Sequence, residues 1–224
     1  GVDILDVGGQ STRPGSERIH ADEEWTRIEP LIKSILHKFP HVLLSIDTYH
    51  QSVAEKAMML GAHLINDVSA GSIDEQLLPW ILKNKIPYVL MHMQGTLANM
   101  QVNPQYGDVT QEILQFFSEK LVAFENDHFV AIDPGFGFGK TLNHNFEILQ
   151  NLSSLQSLGR PILAGASRKK MIQQATETNA DQCGPGSLVA HTIACLHGAS
   201  IIRTHDVLDS MQMKKIMTHT FQEF

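Results

Sequence analysis

The sequence predicts an α/β fold, a (β/α)8 TIM barrel whose first strand and loop are absent from it, and three observations lead there. Seven short apolar runs recur along the 224 residues, each followed by a helical pattern. Each run closes on polar residues. The chain also opens on Gly1-Val2-Asp3-Ile4-Leu5-Asp6, without an initiator Met and in the middle of a structural unit. The runs are residues 2–7, 42–48, 64–69, 87–93, 129–133, 161–166 and 199–204. Near-continuous apolar character suits strands covered on both faces, as in a parallel sheet. Seven strand–helix units make either an open doubly wound sheet or a barrel short of one strand, and the truncated opening favours the barrel.

The intervening stretches read as helices. Trp25, Ile28, Leu31, Ile32, Ile35 and Leu36 form one apolar stripe, with Asp22, Glu23 and Glu24 near its positive end. Pro30 falls inside that pattern and predicts a kink or a break. A second helix starts near Ser52 and ends at Gly61, a residue suited to a left-handed cap. Residues 187–196 are apolar almost all round, which suits a helix buried on several sides or lying in a subunit interface. No low-complexity stretch or linker divides the chain, so residues 1–224 are expected to form one N-terminally incomplete domain.

Composition narrows the partners. Lys and Arg total 17 against 24 Asp and Glu, a formal charge of −7. Nucleic acid and anionic membranes demand a cationic face, so neither is expected as a partner. Cys183 and Cys195 are too few for a zinc site or a disulfide framework. With no signal peptide and no apolar run near about 18 residues, the expected compartment is the cytoplasm.

The chemistry lies at the strand ends, which close in order with Asp6, Asp47, Asn66, His92, Asp133, Ser167-Arg168-Lys169, and Arg203 with His205. One such residue could be a helix N-cap, but seven in succession point to a shared cavity at the carboxyl ends of parallel strands. Asp47, Asn66 and Asp133 suit a heterocycle with amino and lactam edges. Arg13, Arg168, Lys169, Arg203 and His205 suit an anion. Together they describe a polar ring bearing a charged leaving group.

Other motifs carry less. Residues 135–141 miss the spacing of a nucleotide-binding P-loop and read as a flexible loop that lets backbone approach a ligand. His92, alone between two Met residues, reads as readily as a structural hydrogen-bonding residue as a ligand. No histidine spacing matches a zinc site, and Met58, Met59, Met91 and Met93 read as core fillers. Of Lys169 and Lys170, Lys169 is expected to point inward.

Asp6-Val7-Gly8-Gly9-Gln10-Ser11-Thr12-Arg13-Pro14-Gly15 closely resembles a signature of the dihydropteroate synthases. Ser45-Ile46-Asp47-Thr48, Ile65-Asn66-Asp67-Val68, Leu90-Met91-His92-Met93-Gln94-Gly95, Asp133-Pro134-Gly135-Phe136-Gly137-Phe138-Gly139-Lys140, Ser167-Arg168-Lys169 and Ile202-Arg203-Thr204-His205-Asp206 continue the match in order over essentially the whole chain. The resemblance implies an alkyl transfer that joins 6-hydroxymethyl-7,8-dihydropterin pyrophosphate to p-aminobenzoate. It implies that Asp47, Asn66, Asp133 and Lys169 bind the pterin, with Asp6 near it. Arg203 and His205 would hold the pyrophosphate, and Arg203, His205, Lys169 and Asp133 would carry catalysis. Thr12, Arg13 and Pro14 would belong to a mobile loop over both sites, and Phe138 and Ser167 would line the p-aminobenzoate site. It further implies Mg2+, a homodimer and a sulfonamide target. The family's Asn ligand for the metal belongs to the absent first loop, so no metal ligand can be named. Gln10 departs from the Glu that many relatives carry. Two alternatives share part of this pattern: another pterin-binding barrel, such as a methyltetrahydrofolate methyltransferase, and a paralogue that binds pterin without catalysis.

Overall fold

A computed structural model describes residues 2–13 and 15–221. The strands are β1 (Ile4–Val7), β2 (Leu43–Asp47), β3 (Leu64–Asp67), β4 (Tyr88–Met91), β5 (Val130–Asp133), β6 (Ile162–Ala164) and β7 (Ala199–Ile202). Between and after them come α1 (Ala21–Lys38), α2 (Gln51–Leu60), α3 (Leu77–Asn84), α4 (Val109–Leu121), α5 (Leu142–Gln150), a 3-10 helix (Leu152–Leu158), α6 (Lys170–Thr176), α7 (Gly184–Leu196) and α8 (Val207–Phe221). All seven apolar runs are strands, each trimmed where its polar end begins or its flanking loop starts.

The strands pair in chain order, β1 to β7, and every pairing is parallel. A doubly wound sheet would reverse its order partway. Here the order never reverses, and Arg203, just past β7, reaches Asp6 in β1 with Nε 2.7 Å from Oδ2. The first and last strands therefore face each other across a curled sheet, a partial (β/α)8 barrel.

Alternation along each strand builds two apolar layers. Leu44, Ile46, Ile65, Tyr88, Leu90, Val130, Ile132 and Ile162 join the large core shared with the helices. Leu64, Val89, Ala131 and Leu163, with Ile201 against them, form a separate cluster that fills the barrel interior.

Two local expectations are corrected, those for Pro30 and Met59. Helix α1 runs unbroken through Pro30. Pro30 is exposed while Ile28 and Ile32 are buried, so the missing hydrogen bond falls on the solvent side and the apolar stripe holds both halves to the core. Met59 is 82% exposed and fills no core, unlike Met91. Helix α7 buries Ser187, Ala190, His191, Ala194 and Cys195 but leaves Val189 and Leu196 in solvent. The cap at Gly61 is left-handed, with φ +106°.

Candidate active site

The same two-residue period carries each strand from its interior layer to the mouth. Two residues beyond Leu64 comes Asn66, beyond Val89 Met91, beyond Ala131 Asp133, and beyond Ile201 Arg203. On β1 and β2 the equivalent residues are Asp6 and Asp47, on the face opposite Val7 and Ile46 of the outer core. Asp47 pairs with Asn66 in the sheet register, and Met91 with Asp133. Side chains far apart in sequence thus meet at one end of the barrel.

Four of them form one bonded set. Arg203 Nη2 donates to Asp47 Oδ2 at 2.6 Å, its Nε pairs with Asp6 Oδ2, and Asn66 Nδ2 donates to the same Asp6 oxygen at 3.1 Å. Burial first, then the Asp6 charge, push the Asp47 carboxyl up to about 7, against the pull of Arg203. Asp133 is likewise raised by burial, with Lys169 as the main opposing charge. Lys169 is pushed down to about 8 by burial, while Asp133 works to keep it charged. Its ammonium group donates to the Phe136 carbonyl and sits 4.5 Å from the centre of the Phe138 ring, whereas Lys170 is exposed. An apolar cluster of Tyr49, Val68, Met91, Leu97, Met100 and Phe138 lies beside this polar set.

The basic residues divide. Ser167 Oγ accepts from the His205 backbone N–H at 3.1 Å and lies 3.0 Å from His205 Nδ1. Burial, Arg168 and Arg203 lower the proton affinity of His205, and the Arg13 charge adds to them. Ser167 thus sits against His205. Arg168, with φ +55°, gives its guanidinium to Asp206 and is not a free anion ligand. Arg203, expected to face an anion, is shared between two carboxylates, though its side chain stays 41% exposed.

The loop after β1 is anchored at both ends. Gln10 Oε1 accepts from the Ile19 N–H at 2.9 Å, and Gln10 Nε2 donates to the Tyr49 hydroxyl. The Gly15 N–H donates to the Leu97 carbonyl at 3.1 Å, which lays the loop against the segment after β4. Thr12 is half-buried and Arg13 exposed in this loop; Pro14 lies outside the described residues.

The backbone of the loop after β5 is bonded on both sides. Gly135 has φ +70°, and a Cβ there would fall 2.0 Å from the His92 carbonyl oxygen. His92 Nδ1 lies 3.0 Å from Lys140 Nζ, within hydrogen-bond distance, so it is a structural partner. Lys140, Glu24 and Tyr49 were not visible as site neighbours in the sequence. A lysine after three glycines reads as solvated, and a glutamate in a first helical turn reads as a dipole partner. Glu24 is instead buried against Thr48 Oγ1 at 3.0 Å, and burial pushes it up to about 7.

No group of three or more His, Cys, Asp or Glu among the described residues could hold a metal ion. These residues do not by themselves make a magnesium site.

A parallel barrel that gathers carboxylates, an amide and cations at its carboxyl mouth beside an apolar wall is an enzyme site for a flat polar ring. A family model described as pterin binding enzyme matches residues 1–205. The dihydropteroate synthase of Escherichia coli K12 is 37% identical over 98% of this chain and 79% of its own length. A Yersinia pestis dihydropteroate synthase solved with a sulfonamide drug superposes with a TM-score of 0.93 at 37% identity, over 98% of this chain and 81% of that one. One from Xanthomonas albilineans in complex with 7,8-dihydropteroate gives 0.87 at 33% identity, over 100% and 80%. The chain belongs to the pterin-binding enzymes, in the dihydropteroate synthase family.

Proposed function

We propose that this chain condenses 6-hydroxymethyl-7,8-dihydropterin pyrophosphate with p-aminobenzoate to give 7,8-dihydropteroate and pyrophosphate. The observation that carries the proposal is the bonded set of Asp6, Asp47, Asn66 and Arg203, drawn from four strands to one mouth. The 7,8-dihydropteroate held by the Xanthomonas relative supports it.

The arylamine nitrogen attacks the pterin CH2 carbon, the C–O bond to pyrophosphate breaks, and the amine gives up a proton. A neutral arylamine is already nucleophilic, so no strong base is required. Asp47, Asn66, Asp133 and Asp6 orient the ring, and Lys169 fixes its edge. Asp6, Asp47 and Asp133 face Lys169 and Arg203, and burial raises Asp47 and Asp133, so positive charge developing on the pterin would be met by carboxyls that ionise more readily beside it. That charge distribution favours a dissociative path. Arg203, His205, Thr12 and Arg13 attend the pyrophosphate, and Ser167 sets His205. Phe138 lines the arylamine side, and the loop carrying Thr12, Arg13 and Pro14 closes to exclude water.

Mg2+ belongs to this proposal as an ion carried on the pyrophosphate, whose oxygens suit it. No described helix is long and apolar enough to cross a membrane, and we place the enzyme in the cytoplasm as a single pterin-binding domain. A homodimer seam is proposed on α7 and α8, where Val189, Leu196, Leu208 and Ile216 are exposed. Incubation with both substrates and Mg2+, followed by chromatography of products, tests the reaction. Dihydropteroate and pyrophosphate in equal amounts are expected. Pterin binding without product would leave a binding protein, and binding of neither substrate would end the proposal.

A further inference from the structure

Four consecutive carbonyls between β5 and α5 each accept a hydrogen bond from a different side chain. Phe136 takes Lys169 Nζ, Gly137 takes Gln101 Nε2, Phe138 takes Lys140 Nζ at 2.9 Å, and Gly139 takes the Tyr106 hydroxyl at 2.9 Å. From within, the Gly135 N–H donates to Asp133 Oδ1 and the Gly137 N–H to Asn145 Oδ1, both at 2.7 Å.

Among these donors Lys140 is the amine that lies wholly inside, 3% exposed, where burial pulls its proton affinity well below that of an ordinary lysine and the Asp133 charge only partly offsets this. Its Nζ lies within reach of the Phe138 carbonyl, His92 Nδ1, and the His92 carbonyl at 3.4 Å. Burying an amine, charged or neutral, costs desolvation even when it is bonded, and a Met would fill the space without that cost. Stability therefore gives a poor reason for a lysine. What the lysine does mechanically is tie the end of β4, through His92, to the backbone beneath the Phe138 ring. That ring belongs to the apolar cluster that includes Met91 and Tyr49 and carries Lys169 Nζ above it, so its height depends on where the Phe138 carbonyl is held.

We propose that Lys140 is a positioning residue for the arylamine substrate: by anchoring the Phe138 carbonyl to His92 it sets the Phe138 ring against which p-aminobenzoate binds. This rests on the assignment of Phe138 to the arylamine side. Pterin binding, which draws on the strand-end carboxylates and Asn66, is left to other residues.

The test compares the full chain with Lys140→Met. A displacement approaching an ångström commonly costs tenfold or more, so KM for p-aminobenzoate should rise about tenfold while KM for the pterin pyrophosphate stays within about twofold. An equal rise in both constants, or no rise in the first, overturns the proposal. A second readout needs no turnover: fluorine NMR of protein labelled with 4-fluorophenylalanine, the residue-138 signal being assigned with Phe138→Leu. That signal should shift or broaden in Lys140→Met. If it does so in a chain that makes no dihydropteroate, the anchoring stands and the reaction assignment alone fails. A signal that does not move overturns the anchoring whatever the activity. Should Lys140→Met fail to fold, the apolar pair His92→Leu with Lys140→Met carries the same measurements. Failure of both to fold would make the lysine structural and overturn the proposal.

Discussion

Arg203 follows the last strand, yet its two ion pairs run to the ends of the first and second, at Asp6 and Asp47. Removing it leaves two carboxylates side by side with no cation between them, at the place where substrate charge must be handled. Arg203→Ala and Asp133→Ala should each lower turnover by roughly 10²–10³ while circular dichroism stays unchanged. Near-normal turnover in both would contradict the roles given to them. Glu24 makes a different prediction. Its folded carboxyl titrates at about 7 against an ordinary 4.5, so the fold binds the proton more tightly than the unfolded chain does. The stabilisation is complete below about pH 4.5 and is lost as pH rises through about 7, amounting to on the order of 3 kcal/mol. Asp47 adds a slope of the same sign. Burial of His92 and His191, which lowers both, slopes the other way up to about pH 6.5, so the test is a difference: from about pH 5 to pH 8 the melting temperature of Glu24→Gln should move upward relative to that of the unsubstituted chain. An identical slope in the variant would remove Glu24 from the account.

At the scale of elements, the loops after the strands decide how well the mouth is held. Asp67, the last residue of β3, points away from the mouth and is fully buried. It accepts from Ser69 N–H and hydroxyl, Gly71 N–H and the Tyr88 hydroxyl, at 2.6–2.7 Å. Burial raises its carboxyl, and the Ser69 and Tyr88 hydroxyls lead the bonds that offset this. Asp67→Ala would strand those donors and should cost about 3 kcal/mol in urea unfolding, since several buried partners lose their acceptor together. A loss below about 0.5 kcal/mol, the level of an ordinary surface change, would show that the loop does not depend on it. Element spans themselves were readable: α1 followed its apolar stripe, and α2 ended on its glycine. The Pro30 break was misread because local propensity omits the packing of Ile28 and Ile32 that overrides it.

For the molecule as a whole, α7 and α8 pack together through Cys195, Met213 and Met217 and turn Val189, Leu196, Leu208 and Ile216 outward. The apolar character of residues 187–196 suggested a seam, and the fold shows which part of it is not already covered. Sedimentation of the unmodified chain should give a dimer, and Val189→Glu combined with Leu208→Glu should give a folded monomer. A monomer at the outset, or a dimer that survives both charges, would place the seam elsewhere.

What the sequence determined by itself was periodic and local. Alternation in seven runs set the strands, and the polar residues two steps beyond Leu64, Ala131 and Ile201 are Asn66, Asp133 and Arg203 at the mouth. Only the tertiary structure decided which charges neutralise which. Arg203 and Asp47 stand 156 positions apart, Arg168 is claimed by Asp206, and Lys140 is buried on His92. Pattern fixes the face a side chain leaves from, because that depends on backbone geometry alone. Burial and charge pairing depend on neighbours brought in through space by closure of the sheet, and no local stretch of chain contains them.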